Sequence, residues 1–260
     1  GRSTQYSYDT LYRLTQESIT DAVNGDYLAS YQYDLVGNRV ESTIDGVTTA
    51  YSYDDNDRLT QQGGTTYSYD NQGNTLSETL DGVTVTYSYD AKHQLISFES
   101  GGITTEYRYN PNGTRTGKSE AGISTDYVVD ENRDYAQVLY ETDGTDSTQY
   151  SYGDDLLSQT RNGAPSFYHY DGLGSTRALT DENGNITDRY DYDAFGIALN
   201  QTGTTINQYL FTGEQLDQES GNYYLRARYL NTEVGRFTQQ DTWMGNSSDP
   251  VTLHKYLYAN

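Results

Sequence analysis

The sequence predicts an all-β chain of consecutive antiparallel hairpins that join into one long sheet able to coil on itself. Three observations predict it. A Tyr-x-Tyr pair returns at intervals of about twenty residues along the whole chain, which marks an internal repeat. Almost every pair runs straight into turn chemistry built on Asp, Asn and Gly. Helical periodicity is scarce: the nearest candidates, "QVLYETDG" and "GEQLDQESGNYYLRARY", read equally well as strand.

In chain order, the pairs are Tyr6/Tyr8 followed by Asp9, Tyr31/Tyr33 by Asp34, Tyr51/Tyr53 by Asp54, Tyr67/Tyr69 by Asp70 and Tyr87/Tyr89 by Asp90. Then come Tyr107/Tyr109 with Asn110, Tyr150/Tyr152 with Gly153, Tyr168/Tyr170 with Asp171 and Tyr190/Tyr192 with Asp193, and a degenerate copy surrounds Tyr127. Residues two apart on a strand share a face, so both rings of a pair point one way and the residue between them points the other. Rings of neighbouring units are expected to stack in a ladder across the sheet, with each aspartate closing the turn that follows. The unit from Tyr31 to Asp54 shows both corners: Asp34 to Asn38 after the pair, with Gly37 free to take positive φ, and Asp45-Gly46 as a two-residue hairpin turn. Gly73-Asn74 and Asp81-Gly82 repeat them one unit later.

Composition supports an ordered but unusual interior. Only 33% of the 260 residues are apolar and mean hydropathy is −0.87, values that lean toward disorder, yet the chain carries 29 tyrosines. Tyrosine is therefore the core material, and because each buried hydroxyl needs a partner the interior should be laddered and partly wet. The formal charge of −22 argues against nucleic acid and against anionic membrane surfaces, both of which recruit Lys and Arg. No apolar run is long enough to insert into a membrane, and no signal-peptide core opens the chain, which already begins inside a repeat as an excised piece of a longer polypeptide would.

Catalytic and metal chemistry find little footing, and no catalytic, cofactor or metal residue is assigned. There is no cysteine, and His93, His169 and His254 are isolated from one another. "GLGSTR" lacks the lysine of a phosphate loop, and Ser175 with His169 lacks an orienting third group. The acidic stretches "DENGNITD" and "DYDAFG" lack the alternating ligands and late Glu of a calcium loop and read as turns.

The repeats resemble the Rhs/YD repeats of bacterial toxin shells, wall-associated proteins and the C component of Tc toxins, also found in teneurins. The tail is more specific. "YHYDGLGSTRALTDENGNITDRYDYDAFG" and "FTGEQLDQESGNYYLRARYLNTEVGRFTQQD" resemble the Rhs-repeat-associated core, with Arg226, Arg228, Gly235, Arg236, Phe237 and Asp241 on its pattern and "LHKYLYAN" at its end. The resemblance divides the chain into a repeat array, 1–167, and an associated core, 168–260, continuous with the same sheet. It implies a hollow β-cocoon that sequesters a C-terminal toxin or effector domain of the same polypeptide, in a secreted or surface bacterial protein, with neighbouring repeats as further partners.

The family also commonly carries an aspartyl autoprotease in this core. Here Leu216 stands where an Arg usually precedes the first core aspartate, Asn231 stands in place of an Asp, and Thr242 replaces a Pro after Asp241. Asp217 and Asp241 are accordingly read as turn and sheet-edge acceptors. Arg226 and Arg228, two apart on a strand, should share a face and pair with acidic groups of preceding turns. The leading expectation is a non-enzymatic shell segment. The alternatives are a glycan-binding adhesin, whose tyrosine rows would stay exposed to meet cell-surface sugars, and a self-cleaving core.

Overall fold

The computed structural model describes residues 1–258; the last two residues of the "LHKYLYAN" ending lie outside the described residues. The chain is nearly all-β. Twenty strands, from Arg2–Tyr8 to Ala198–Thr202, belong to one antiparallel sheet, and apart from strands only two short 3₁₀ turns, Phe211–Gly213 and Pro250–Leu253, occur among the described residues. The chain groups into two compact units, Gly1–Val85 with Glu233–Asn260, and Thr86–Thr232. The motif boundary at 167/168 falls within the strand Ala164–Tyr170 of the second unit.

In the first unit the strands Arg2–Tyr8, Leu14–Asp21, Tyr27–Tyr33, Arg39–Ile44, Val47–Tyr53, Leu59–Gln62, Thr65–Tyr69 and Thr75–Leu80 each pair with the next. The second unit continues the same up-and-down pattern from Leu95–Ser100 to Ala198–Thr202. From Gln215 the chain leaves that sheet: Gln215–Asp217, Asn222–Leu225 and Arg228–Asn231 pair in a separate small one. The end of the core is thus not continuous with the repeat sheet. Its strands are three or four residues long, too short to carry the Tyr-x-Tyr period and its two corners.

Both corners have a clear physical basis. Where an aspartate follows a pair, its carboxylate accepts two or more backbone N–H groups of its own turn: Asp34 Oδ1 takes those of Val36, Gly37 and Asn38 at 3.0, 2.9 and 2.8 Å. Asp9, Asp54, Asp70, Asp90, Asp171 and Asp193 do the same two and four residues on, and Asn110 substitutes its amide oxygen. The acidic stretch at Asp181 is another such turn, its carboxylate accepting from Asn183 and Asn185. At the other corner Asp45 and Gly46 both have positive φ, 48° and 84°, which matches the right-handed twist of the flanking strands.

The tyrosine face is the core. The first ring of each pair is buried from Tyr31 onward, at 3–8% exposure for Tyr31, Tyr51, Tyr87, Tyr107, Tyr150, Tyr168 and Tyr190, and Tyr67 is half-buried. The degenerate copy behaves alike, with Tyr127 at 6%. The second rings, Tyr33, Tyr53, Tyr69, Tyr89, Tyr109, Tyr152 and Tyr170, are half-buried and Tyr192 is buried, while Ser52, Ser68, Ser88 and His169 between the rings face solvent. Tyr6 and Tyr8 depart from this, at 48% and 58% exposed.

Two features of the wall were not anticipated. At the second tyrosine the register slips by one residue in unit after unit: Gln32 faces Glu41 but Tyr33 faces Arg39, and Ser52 faces Gln61 but Tyr53 faces Leu59. Such a bulge sharpens the local twist and frees a carbonyl from the ladder. That carbonyl is then taken by the second tyrosine of the next repeat: the Tyr33 hydroxyl donates to Leu14 O at 2.7 Å, Tyr53 to Arg39 O at 2.8 Å, Tyr109 to Leu95 O at 2.8 Å and Tyr170 to Leu156 O.

The second feature corrects the ring ladder. Guanidinium groups intercalate among the rings: Arg13 lies over Tyr33 at 5.0 Å, Arg39 over Tyr31 and Tyr51 at 5.5 and 4.8 Å, and Arg58 over Tyr69 at 5.7 Å. Tyr168 and Tyr170 do stack, 5.8 Å apart, but within one pair. Neighbouring rings of a ladder would leave their negative faces opposed, and a cation between them removes that conflict.

The pair Tyr87/Tyr89 requires the same correction at its cross-strand neighbours. Across the sheet Tyr87 meets Phe98, its ring centroid 5.2 Å away, and Tyr89 faces Leu95 at the bulge, so neither has a repeat tyrosine as its cross-strand neighbour. The cause is spacing. Within the second unit the pairs of Val83–Tyr89 and Ile103–Tyr109 have a return strand, Leu95–Ser100, between them. Two strand spacings are about 9–10 Å, too far for rings to stack.

Candidate functional site

In each unit the C-terminal core segment lies on the tyrosine face, and the seats it makes there are the most chemically specific places in the chain. A threonine opens each seat. In the first unit Thr75, just past the Gly73 turn, donates both its N–H and its hydroxyl to Thr238 O, at 3.0 and 2.8 Å. In the second, Thr176, just past the Gly174 turn, donates its N–H to Leu210 O at 2.9 Å and its hydroxyl to Tyr209 O at 2.7 Å. Aromatic contacts follow: Tyr69 with Tyr256 in the first unit, and Tyr150 with Tyr209, Tyr107 with Tyr229 and Tyr192 with Phe211 in the second.

The second unit's seat centres on Arg115, whose side chain is 1% exposed. Its guanidinium donates to Asp217 Oδ2 at 2.5 Å, to the Tyr229 hydroxyl at 2.9 Å and to Gln215 Oε1 at 2.9 Å. Tyr224 closes the group from above, its ring centroid 3.9 Å from the guanidinium carbon. Beside it Lys118 Nζ bridges both carboxylate oxygens of Glu219 at 2.8 Å. Asp217 is therefore neither a turn nor an edge acceptor through its side chain: the carboxylate is 1% exposed and ion-paired, and only its backbone carbonyl accepts from the turn at Ser220 and Gly221. Leu216 leaves the core without a cation beside this carboxylate, but the repeat wall supplies one from Arg115.

The first unit's seat centres on Arg236, 6% exposed, which donates to Asn38 Oδ1 and to Asp57 O and lies over Tyr53 and Tyr256 at 4.8 and 5.0 Å. His254 completes it. Its Nε2 lies 2.8 Å from Asn38 Oδ1 and its Nδ1 accepts the Tyr256 N–H at 3.2 Å, so the ring is held as the neutral Nε2–H tautomer. Burial, reinforced by the Arg236 charge, pushes its pKa down to about 4. The Tyr256 hydroxyl donates to Gly73 O at 2.8 Å, and a Cβ on Gly73 would lie 2.5 Å from that hydroxyl, so glycine is required for the contact.

The other core-motif residues fall as follows. Gly235 takes φ of 67° and Phe237 is buried edge-on to Tyr258 at 5.7 Å. Asp241 caps a turn, its carboxylate accepting the Trp243 N–H at 2.8 Å. Arg228 is half-buried at the start of its strand opposite Leu225. Arg226 does not share a strand face with it. Its φ is 59° and the Ala227 N–H bonds back to Leu225 O at 2.7 Å, so it is the central residue of a tight three-residue turn. It pairs with Glu214, at 2.7 Å to each carboxylate oxygen.

Sequence reasoning found Arg236 but missed Arg13, Arg39, Arg58 and Arg115. A signal was present: an arginine recurs four or five residues after the Asp or Asn that closes a pair, in "DTLYR", "DLVGNR", "DDNDR" and "NPNGTR". No cluster of three or more potential metal-ligating His, Asp or Glu side chains exists among the described residues.

Comparison with known proteins agrees with this architecture. A model of the Teneurin YD-shell matches residues 1–260. The chain is 39% identical to the tRNA3(Ser)-specific nuclease WapA of Bacillus spizizenii over 137 residues, covering 49% of this chain and 6% of that protein. It is 33% identical to the toxin protein Tse5 of Pseudomonas aeruginosa over 95 residues, 36% of this chain and 7% of that one. Among solved structures, the Photorhabdus luminescens Tc holotoxin pore carrying TccC3-D651A matches 98% of this chain and 17% of that one, with a TM-score of 0.52 at 15% identity. The TcdB2-TccC3 crystal structure matches 98% and 18%, with a TM-score of 0.51 at 15% identity. The chain thus spans a small fraction of the length of its relatives, with a shared fold. With the repeats, their corners and the core segment all matched along its length, the chain belongs to the Teneurin YD-shell family of Rhs/YD-repeat proteins.

Proposed function

We propose that this chain is a stretch of shell wall with its associated core, and that the shell encloses an effector domain carried C-terminal to it on the same polypeptide, in a secreted or surface bacterial protein. The observation that carries the reading is the tyrosine hydroxyl placed on the bulge carbonyl of the preceding repeat. A wall joined repeat to repeat in this way extends by nearest-neighbour contacts and does not require a filled centre. The role is structural: the carboxylate of Asp217 is committed to Arg115, and that of Asp241 to a turn. The glycan reading requires exposed tyrosine rows, and from Tyr31 onward the first rings are covered or half-covered. No described helix is long and apolar enough to cross a membrane.

The test is protease protection of the full-length gene product. In the intact protein the segment after Asn260 should resist trypsin while the denatured protein is digested throughout. Equal digestion of that segment before and after the shell is opened with urea would overturn enclosure.

A further inference from the structure

A cavity of about 210 Å³ lies within the second unit, between the wall and the core segment, and its lining differs from the tyrosine core around it. It is rich in acceptors and aromatic rings and poor in free donors. Tyr135, Tyr152 and Tyr170 supply rings, and Asp154 and Asp155 bring two exposed carboxylates that have no ion-pair partner among the described residues. Gln137 contributes a buried side-chain carbonyl oxygen, Oε1, with no hydrogen-bond partner among the described residues. A buried acceptor left unmatched is uncommon and marks a place for a donor.

The cavity already holds one cation by this chemistry. Arg226 is gripped by both oxygens of Glu214 at 2.7 Å, lies 5.3 Å from the Tyr135 ring centroid and reaches Ala136 O at 3.5 Å. Two non-glycine residues with positive φ border the same space, Arg226 at 59° and the β-branched Thr212 at 50°. Left-handed backbone at such residues persists where the surroundings hold it, and it concentrates at binding sites.

We propose that this cavity binds an alkylammonium group, presented either by a small primary amine or by a lysine side chain of a polypeptide. An ammonium carries three donors and no acceptor, which complements the orphan Gln137 oxygen and the Asp154 and Asp155 carboxylates, and the rings attract its charge. The volume suits a group of this size and is smaller than the usual space for a drug-sized ligand, about 300–1,000 Å³. The assignment is independent of enclosure, because it concerns only residues of this unit.

The experiment is titration of the whole chain, followed by NMR, with Nα-acetyl-lysine N-methylamide, n-butylammonium and, as neutral counterparts, the Nζ-acetylated lysine amide and methyl glucoside. Saturable shifts centred on Tyr135, Gln137 and Asp155 are expected with the two ammonium probes, and at least tenfold weaker binding with both neutral ones. Tighter binding of the lysine amide than of butylammonium would identify a polypeptide as the source, and equal binding a small amine. D154N/D155N, two surface changes that leave the fold intact by circular dichroism, should weaken ammonium binding at least tenfold. Absence of saturation with either ammonium, equal binding of the acetylated amide or the glucoside, or unchanged affinity in D154N/D155N would each overturn the proposal.

Discussion

The two units solve one problem with opposite polarity. In each, a threonine past a glycine turn fixes the core segment to the wall through two hydrogen bonds, and an arginine is buried among tyrosines at the contact. In the second unit the arginine belongs to the wall and meets a carboxylate of the core. In the first it belongs to the core and donates to neutral oxygens, Asn38 Oδ1 and Asp57 O, between two rings. A buried charge is tolerable either when it is neutralised or when oriented dipoles and ring faces replace its hydration. Tyrosine-rich walls can do the second because each ring offers a negative face, and so an acidic partner is not obligatory.

The sharpest way to break this comparison is Arg115→Met. It strands the Asp217 carboxylate in the interior, and losing one partner of a buried pair costs about 3–5 kcal/mol. Urea unfolding should show that loss, and adding Asp217→Leu should recover most of it. If the double variant stays as unstable as the single one, the pair is not what holds the seat.

Arg236→Met leaves no charge behind. Its neutral partners lose charge-assisted bonds, and the expected cost is smaller, about 2–3 kcal/mol, in the same measurement. A cost equal to that of Arg115→Met would erase the distinction between the seats.

His254 gives the first seat a pH signature. Its folded pKa of about 4 lies below the ordinary 6.5, so the folded state binds fewer protons there. The stability it contributes is present above pH 6.5 and is lost as pH falls toward 4. Between pH 7 and 5 the loss should be about 2 kcal/mol, abolished in His254→Gln. A flat profile over that range would mean that the ring is not held neutral.

The smallest effect tests the wall apart from its seats. Tyr109→Phe removes the hydroxyl from Leu95 O and keeps the ring, which should cost about 1 kcal/mol by thermal melting, whereas Ser88→Ala, between two rings on the solvent side, should change almost nothing.

Strands, corners and the buried face were legible because they are local: alternation has a period of two, and an Asp-Gly pair declares its turn within a few residues. The ladder was misread because ring–ring contact is the obvious use of a tyrosine row, while the arginines that separate the rings lie across the turn from them and a return strand stands between one pair and the next, as Tyr89 opposite Leu95 shows. The seat of Asp217 was illegible for another reason. Its partner Arg115 is 102 residues away, and nothing in the neighbourhood of either residue points to the other. Leu216 made that reading harder, since a missing local cation looked like a missing cation. Arg226 was placed on a strand because "RARY" alternates, but a two-residue connection between short strands forced it into a turn.

The tyrosine hydroxyl on the bulge carbonyl has a direction. In each instance described, the later repeat reaches back to the earlier one: Tyr33 to Leu14, Tyr53 to Arg39, Tyr109 to Leu95, Tyr170 to Leu156. A ribosome releases the chain in that same order, so every new repeat emerges with its acceptor already in place on the one before it. The wall can be laid course by course during synthesis, with the growing edge always the youngest one, and the core segment, made after the repeats it covers, arrives when that face is complete.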